Sequence, residues 1–413
     1  MSAVATPGPT TWTDPGPGPP ASPRRTPGAV VLGGDYQGLG IARSLGRRGV
    51  PVCVVDDERS PAAASRYVSH HVRVADLHAD AAALDALDRL AGAVDVEGWV
   101  IYPTRDENVA MLARYADRLG RTYRVPTPGW DAVRVCWDKR ETYRLAAELG
   151  VPHPRTWVPA DEAGLELVEA SAPLVVKPAI KEHFFYTTGE KAWRADGAAE
   201  LADAYRRAVA VTGPGEILVQ ELVPGGGSEQ YSYCAFVKRG RPVAVMTVRR
   251  RRQHPSDFGR ASTFVETVEV PEIEGPSERF LAALKFDGLV EMEYKRDPRD
   301  GVHKLLDVNA RTWGYHTLGG VAGVDFPYLL YRDQIGAGVP EVPVRARPGV
   351  RWVRLATDLP NSVRDIAGGT LRARDYLRTL PSAHAEAVFC ARDPLPWFYE
   401  AALLPYLALT KGL

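Results

Sequence analysis

Cysteine is scarce: Cys53, Cys136, Cys234 and Cys390 are the only four in 413 residues, widely spaced and without a CxxC pair. That argues against a disulfide framework and fits buried thiols in a reducing compartment. Excess charge of either sign is missing too, since 51 Lys and Arg balance 51 Asp and Glu. With no bulk field to draw the chain to nucleic acid or an anionic membrane, any charge-dependent function must be local. Long apolar runs are also absent. The nearest to the roughly 18 residues of a membrane span is "FYEAALLPYLALTKGL" at the C-terminus, which is short and interrupted by Pro405. Residues 1–27 are rich in proline and glycine and lack the apolar stretch of a signal peptide, so they read as a disordered tail outside the fold. These absences predict a cytoplasmic protein with neither nucleic acid nor membrane as a partner.

The length allows two or three domains at roughly 150 residues each. "AVVLG" at 29–33 reads as a short buried strand, "GDYQGLGIARSLGRRG" as a turn and amphipathic helix, and "VPVCVVDDE" as a second strand, which is a β-α-β unit. Similar alternation runs to about residue 125, predicting a small parallel sheet over 28–125. Gly33, Gly34, Gly38 and Gly40 do not spell GxGxxG, although Asp56 ends the second strand where a ribose-binding acid would stand. A tight turn packing helix on strand is therefore preferred to a dinucleotide site. "YPTRDEN" puts Arg105 and Asp106 beyond the carboxyl end of a strand, where such sheets bind ligands; a surface Arg-Asp pair is the plainer alternative.

A different character begins at "WDKRETYRLAAELGVPHPRTW". Asp138 and Glu141 make a capping pattern, Lys139 falls in the first helical turn, and Gly150 stops the helix before an extended segment. Then follow strand "PLVVKPA", a loop "IKEHFFYTTGEK", a helix near 197–211, strand "EILVQELV" and a Gly-rich turn. A hairpin, an arginine run, and strands "STFVETVEV", "GLVEMEYK" and "HKLLDVNAR" come next, an α+β pattern with antiparallel pairs.

The last two strands carry the chemistry. Alternation puts Glu291 and Glu293 on one face against Val290, Met292 and Tyr294, and Asp307, Asn309 and Arg311 on one face against Leu306, Val308 and Ala310. An ordinary wet sheet face is the bland reading. Against it, Asp and Asn are depleted in strands, adjacent acidic rows repel unless a cation intervenes, and an all-oxygen set of Glu, Asp and Asn suits Mg²⁺ shared with phosphates. Lys177 at the end of its strand and Lys139 on its helix are cations suited to those phosphates, each alone also readable as a solvated lysine.

In their order, Lys139, "VVKP" with Lys177, "VQELVPGG", "GLVEMEYK" and "LLDVNARTWG" resemble the ATP-grasp superfamily, in its branch of carboxylate-amine ligases related to D-aspartate ligase. The resemblance runs from about residue 28 to 335. It implies a Rossmann-like domain at 28–125, a two-lobed ATP-grasp domain at 126–335 with its small lobe at about 150–225, and a closing segment at 336–413. It further implies that Lys139 and Lys177 contact ATP phosphates. Gln220, Glu221, Leu222 and Val223 would line the adenine slot, and Glu229 would bind ribose. Glu293, Asp307 and Asn309 would hold Mg²⁺, or Mn²⁺ in its place, with Arg311 beside an acyl phosphate. Whether Glu291 or Glu293 is the ligand is a question of register, in which the family pattern favours Glu293.

The chain departs from that pattern after Lys177, where many relatives have a Gly-rich loop and this one is aromatic with one glycine. Either Lys181, His183 or Lys191 substitutes for the backbone cover, or the loop reads the substrate, or it simply packs. In the run Arg249 to Arg252, Arg249 and Arg251 share a face if the run is a strand. Arg249 is the candidate for reaching phosphate or a substrate carboxylate, with a solvated charge run as the alternative.

These readings add up to an ATP- and Mg²⁺-dependent ligase joining a small carboxylate to an amine, amino acids among the candidates, through an acyl phosphate. The rivals are a carboxylase-type ATP-grasp reaction, a nucleotide-binding regulator without turnover, and a nicotinamide-dependent dehydrogenase. Oligomeric state is left open, a homodimer being compatible. In the closing segment "RWVRLATDLP" reads as a strand, and "SVRDIAGG" and "PLPWFYEAALLPYLALT" as short helices. Trp313 and His316 either line the substrate side or pack.

Overall fold

An uninterrupted apolar run has no wet face to offer, so it must be covered on both sides. β1 (Ala29–Leu32) and β2 (Val52–Asp56) are such runs, and every residue of both is buried. With β3 (His70–Arg73) and β4 (Val100–Pro103) they form a parallel sheet in the order β3-β2-β1-β4. Alternate residues feed two cores. Val30 and Leu32 pack with α2 (Asp80–Ala93) and α3 (Asp106–Arg114), whereas Ala29 and Val31 join a core that continues through α1 (Tyr36–Gly46) into the rest of the molecule.

This computed structural model describes residues 26–169, 173–254, 259 and 261–411. The tail expected over 1–27 therefore lies outside the described residues up to residue 25, as do residues 255–258 of "QHPSDFGR".

The turn after β1 explains the early glycines. Gly33 has φ +97°, and a side chain at Gly38 would meet the Gly33 carbonyl at 2.0 Å. Asp56 accepts from the Gly34 amide at 3.0 Å and from the Ser60 hydroxyl, and is 1% exposed. Its carboxylate is thus spent on bracing the turn, which counts against a ribose-binding role.

After α4 (Trp130–Trp137) and α5 (Lys139–Glu148), capped by Asp138 onto the Arg140 amide, the chain builds a small antiparallel sheet. Its order is β5-β8-β6-β7, from β5 (Thr156–Trp157), β6 (Leu174–Pro178), β7 (Trp193–Ala195) and β8 (Ile217–Glu221). The segment expected as a loop is instead α6 (Lys181–Thr188), ended by Gly189 at φ +72°. Its polar and aromatic residues show no clean apolar stripe, so periodicity could not reveal it. α7 (Ala198–Thr212) covers the sheet through Leu201, Ala204, Tyr205 and Ala208.

The large sheet comprises β9 (Gln230–Lys238), β10 (Arg241–His254), β11 (Ala261–Thr267), β12 (Gly288–Arg296) and β13 (His303–Asn309). One face packs Tyr233, Val245, Val290 and Met292 against α8 (Pro271–Ala283). The other buries Cys234, Phe236, Met246 and Leu289 with α9 (Thr317–Ala322), α10 (Phe326–Gln334) and the N-terminal sheet.

The closing segment completes this sheet rather than standing apart. β14 (Val344–Arg345) pairs with β10, β15 (Arg351–Val353) with β11, and β16 (Ala385–Glu386) with β15. "RWVRLATDLP" is strand only for three residues. From Leu355 it is α11 (Leu355–Ala367), which tolerates Pro360 near its start, and α12 (Ala373–Thr379) and α13 (Leu395–Lys411) follow. Among the described residues no helix is long and apolar enough to cross a membrane.

Candidate active site

The β12-β13 hairpin sets the acidic face by register. Glu291 stands opposite Asn309 and Glu293 opposite Asp307. The pairing then slips, so that Tyr294 faces Leu305 and Leu306 is the extra residue. A bulge of this kind re-aims a side chain. Leu306 accordingly leaves the apolar row in which alternation had placed it and lines a cavity on the acidic side.

Two like carboxylates on one strand have been driven to different states. Burial and the neighbouring Glu293 charge raise Glu291 to about 7, and Tyr315 donates its hydroxyl to it. Burial also pushes Glu293 upward, but Arg250, 3.2 Å away, and Lys191 outweigh it and hold the carboxyl below its ordinary value. Asp307, likewise raised by burial, is lowered by Lys139, whose ammonium lies 2.5 Å from its Oδ1. Asn309 donates to both Glu291 and Glu293 at 3.2 Å.

Glu293, Asp307 and Asn309 carry oxygen donors, the type of ligand Mg²⁺ takes. A divalent cation would compete with Lys139 for Asp307 and with the Asn309 nitrogen for Glu293. A separate grouping, Asp57, Asp76 and His78, has its ligand atoms all within 4.8 Å. There Asp57 already accepts from Arg105 and from the Leu77 amide.

Beside this face lies a cavity of about 160 Å³ between the two lobes. Gln220, Glu221, Leu222 and Val223 line it, as do Lys139, Lys177, Lys191 and Leu306. Lys177 is buried and donates to the Tyr143 hydroxyl and to Gln220 Oε1, both at 2.7 Å. Burial, helped by the Lys139 charge, brings its ammonium down to about 7, against a smaller upward pull from Asp307. The Glu221 and Leu222 amides are bonded to the Arg155 and Pro173 carbonyls at 2.9 Å, so a base in the slot must use other groups of the segment.

A second cavity, of about 230 Å³, meets the first at Lys181, Lys191, Arg250, Glu293 and Asp307 and extends to Tyr36 and Gln37 at the start of α1. Phe185, Ser262, Glu291, Asn309, Arg311 and Tyr315 are also in its wall. Arg311 does not stand free: Asp106, from the N-terminal sheet, accepts from its Nε at 2.7 Å and from Lys181 at 2.6 Å.

The structure therefore brings together Lys139, Lys177, Gln220 to Val223, Glu293, Asp307, Asn309 and Arg311. It sets apart Arg249 and Glu229, which pair with each other at 3.4 Å, with Arg296 3.8 Å from Glu229. Arg249 also donates to the Ser228 carbonyl, and it is Arg250 that turns to Glu293. Arg105 and Asp106 do not pair with each other, because Arg105 is held by Asp57. Trp313 and His316 pack: Trp313 is fully buried edge-on to Phe326 with its Nε1 unpartnered, and His316 bonds the Gln37 carbonyl at 3.0 Å.

Sequence reasoning passed over Arg250, Tyr143, Tyr315 and Tyr36. The hydroxyls of Tyr143 and Tyr315 gave no signal, since their partners lie far away in the sequence.

Residues 215–357 match the family described as ATP-grasp in the biosynthetic pathway with Ter operon. Over that stretch the chain is similar to ATP-grasp proteins. Its similarity to the D-aspartate ligase of Enterococcus faecium (strain Aus0004) is 22% identity over 301 residues, covering 68% of this chain and 70% of that one. Among solved structures, the L-amino acid ligase from Bacillus licheniformis shares the ATP-grasp fold at TM-score 0.60 and 17% identity, covering 79% of each chain. A biotin carboxylase complexed with β,γ-ATP from Campylobacter jejuni does so at TM-score 0.62 and 13% identity, over 78% of this chain and 74% of that one.

Proposed function

We propose that this chain is an ATP-grasp ligase that uses Mg²⁺ and ATP to join a small-molecule carboxylate to an amine. The observation that carries the reading is the meeting of the lysine-lined slot and the second cavity at Glu293 and Asp307. A nucleotide in the slot then has its terminal phosphate where a second molecule arrives. We divide the chain accordingly into a Rossmann-like unit at 28–125, an ATP-grasp unit at 126–335 and a closing segment at 336–413.

In this scheme a carboxylate oxygen attacks the γ-phosphorus and ADP leaves, giving an acyl phosphate. The amine then attacks the carbonyl carbon and inorganic phosphate leaves, with one proton lost from nitrogen. Lys139 and Lys177 bind the phosphates, and Arg250 and Arg311 face the charge that moves between them. Bound to Glu293, Asp307 and Asn309, Mg²⁺ would neutralise phosphate charge. The protein supplies position and fixed charge rather than a covalent nucleophile. D-aspartate ligase and L-amino acid ligase among the similar proteins make an amino acid the first substrate to try.

The test is ATP-dependent phosphate release across pairs of amino acids and other amines, with bicarbonate as the carboxylase control. Release that needs both a carboxylate and an amine is expected, and Asp307→Asn should abolish it with the fold intact. Release with bicarbonate alone, or none with any pair, would overturn the ligase assignment.

A further inference from the structure

α3 begins with two acids, Asp106 and Glu107, and both reach across to α6 of the small lobe. Asp106 accepts from Lys181 in the first turn of α6 at 2.6 Å, and Glu107 accepts from the Tyr186 hydroxyl at 2.8 Å. Glu107 is itself bonded to His78, whose ring packs edge-on to Tyr186 with centroids 4.4 Å apart. Asp106 does something more. It also takes Arg311 in a two-pronged contact, Nε at 2.7 Å and Nη2 at 3.2 Å. One carboxylate thus joins the N-terminal sheet, the small lobe and the end of β13.

We propose that Asp106 is a positioning residue of the active site, which docks α6 through Lys181 and aims Arg311 at the transferred phosphate through the same carboxylate.

Three features support this. Asp106 sits at the first position of α3, where the helix dipole favours an anion. It faces two cations with one charge, so the trio keeps a net positive charge beside the phosphate path. Arg311 has an alternative that would harm the reaction: its Nη2 already lies 3.5 Å from Asn309 Oδ1. Without Asp106 the guanidinium is free to settle on the amide oxygen assigned to the metal. The small lobe and the arginine are therefore set together, and a substrate meets an aimed Arg311 only when α6 is docked. The catalytic part of this inference rests on the ligase reading; the docking part does not.

The test compares the intact chain with Asp106→Asn, Asp106→Glu and Tyr186→Phe. Asp106→Asn should lower kcat by about a hundredfold, the scale of a misplaced reacting group, while the Kd for Mg·ATP changes by less than about threefold. Asp106→Glu should restore part of kcat, because the charge returns on a longer arm. Hydrogen exchange in α6 should rise in Asp106→Asn and at Arg311–Thr312 as well, whereas Tyr186→Phe should loosen only the second turn of α6 and leave kcat within about fivefold. Equal losses in kcat and nucleotide affinity, or a kcat within about threefold of the parent, would show a structural role and overturn the aiming of Arg311. If no substrate pair supports turnover, the ligase reading fails, and unchanged exchange in α6 and at Arg311 of Asp106→Asn would separately overturn the docking claim.

Discussion

Raising the pH should weaken nucleotide binding, and Lys177 sets the scale. In the free protein burial and Lys139 bring Lys177 down to about 7, while burial brings Lys191 to about 8. A phosphate between them favours the charged ammonium, so binding returns each lysine toward its ordinary value and takes up protons. The sign follows. Below about pH 6 both lysines are charged before and after binding, and affinity is at its highest. As pH rises through the free values, part of the binding energy goes into protonation and affinity falls.

For Lys177 alone, the drop between about pH 6 and about pH 9 is roughly a hundredfold, and Lys191 adds roughly tenfold. Calorimetry in buffers of different ionisation enthalpy should find about 1.4 protons taken up per nucleotide at about pH 8, and about 0.1 at about pH 6. Lys177→Met should bind more weakly and show the shallower dependence left by Lys191. Affinity that holds or rises over this range, or no proton uptake at about pH 8, would refute the placement of phosphate against these lysines.

Glu291 is close to half-neutral at neutral pH, so Glu291→Gln should cost less than about fivefold in kcat/KM, while Glu293→Gln should raise the Mg²⁺ needed for half-maximal turnover by at least about tenfold; a metal titration of each variant checks both. The thermal midpoint should rise far more with ATP plus Mg²⁺ than with ATP alone, and equal rises would remove the metal from the hairpin. Arg252→Ala leaves Asp358, which is fully buried and bonded to Arg252 at 2.8 Å through both oxygens, without its counter-charge. Denaturant unfolding should show a loss on the order of 3 kcal/mol.

Much of the fold could be read from the chain because its strands are either continuous apolar runs or strict alternations, and both patterns survive without knowledge of the partner strand. The hairpin acids were legible for the same reason: Asp307 and Asn309 in a strand break a propensity rule, and two acidic rows side by side break an electrostatic one. Leu306 was misplaced because a bulge shifts the period by one residue, and nothing in "KLLDVN" marks it. α6 was missed because what holds it is not its own apolar stripe but Lys181, Glu182 and Tyr186 bonded to Asp106, Trp137 and Glu107. Contacts with residues 45 to 79 positions away leave no local trace.

The arginine run shows the same limit most sharply, since each of its members is matched to a different carboxylate. Arg249 goes to Glu229, Arg250 to Glu293, Arg251 to Glu266 and Arg252 to Asp358. Alternation puts Arg249 and Arg251 on one face, but β10 slips against β11 between Arg250 and Arg252, so the run does not keep a simple two-residue period. Pairing with β9 settles which member faces Glu293: Val248 stands opposite Ser232, which stands opposite Glu293, and Arg250 shares the Val248 face. Asp358 and Asn361 on α11 bind Arg252 and the Gln253 carbonyl, and Arg351 on β15 shares Glu266 with Arg251. Those contacts hold the far end of β10, next to Arg250. The last part of the chain, which carries no motif of its own, thereby braces the strand that carries Arg250 into the wall of both cavities. A change in α11 should then be felt at the phosphate path through β10, without any residue of α11 touching a substrate.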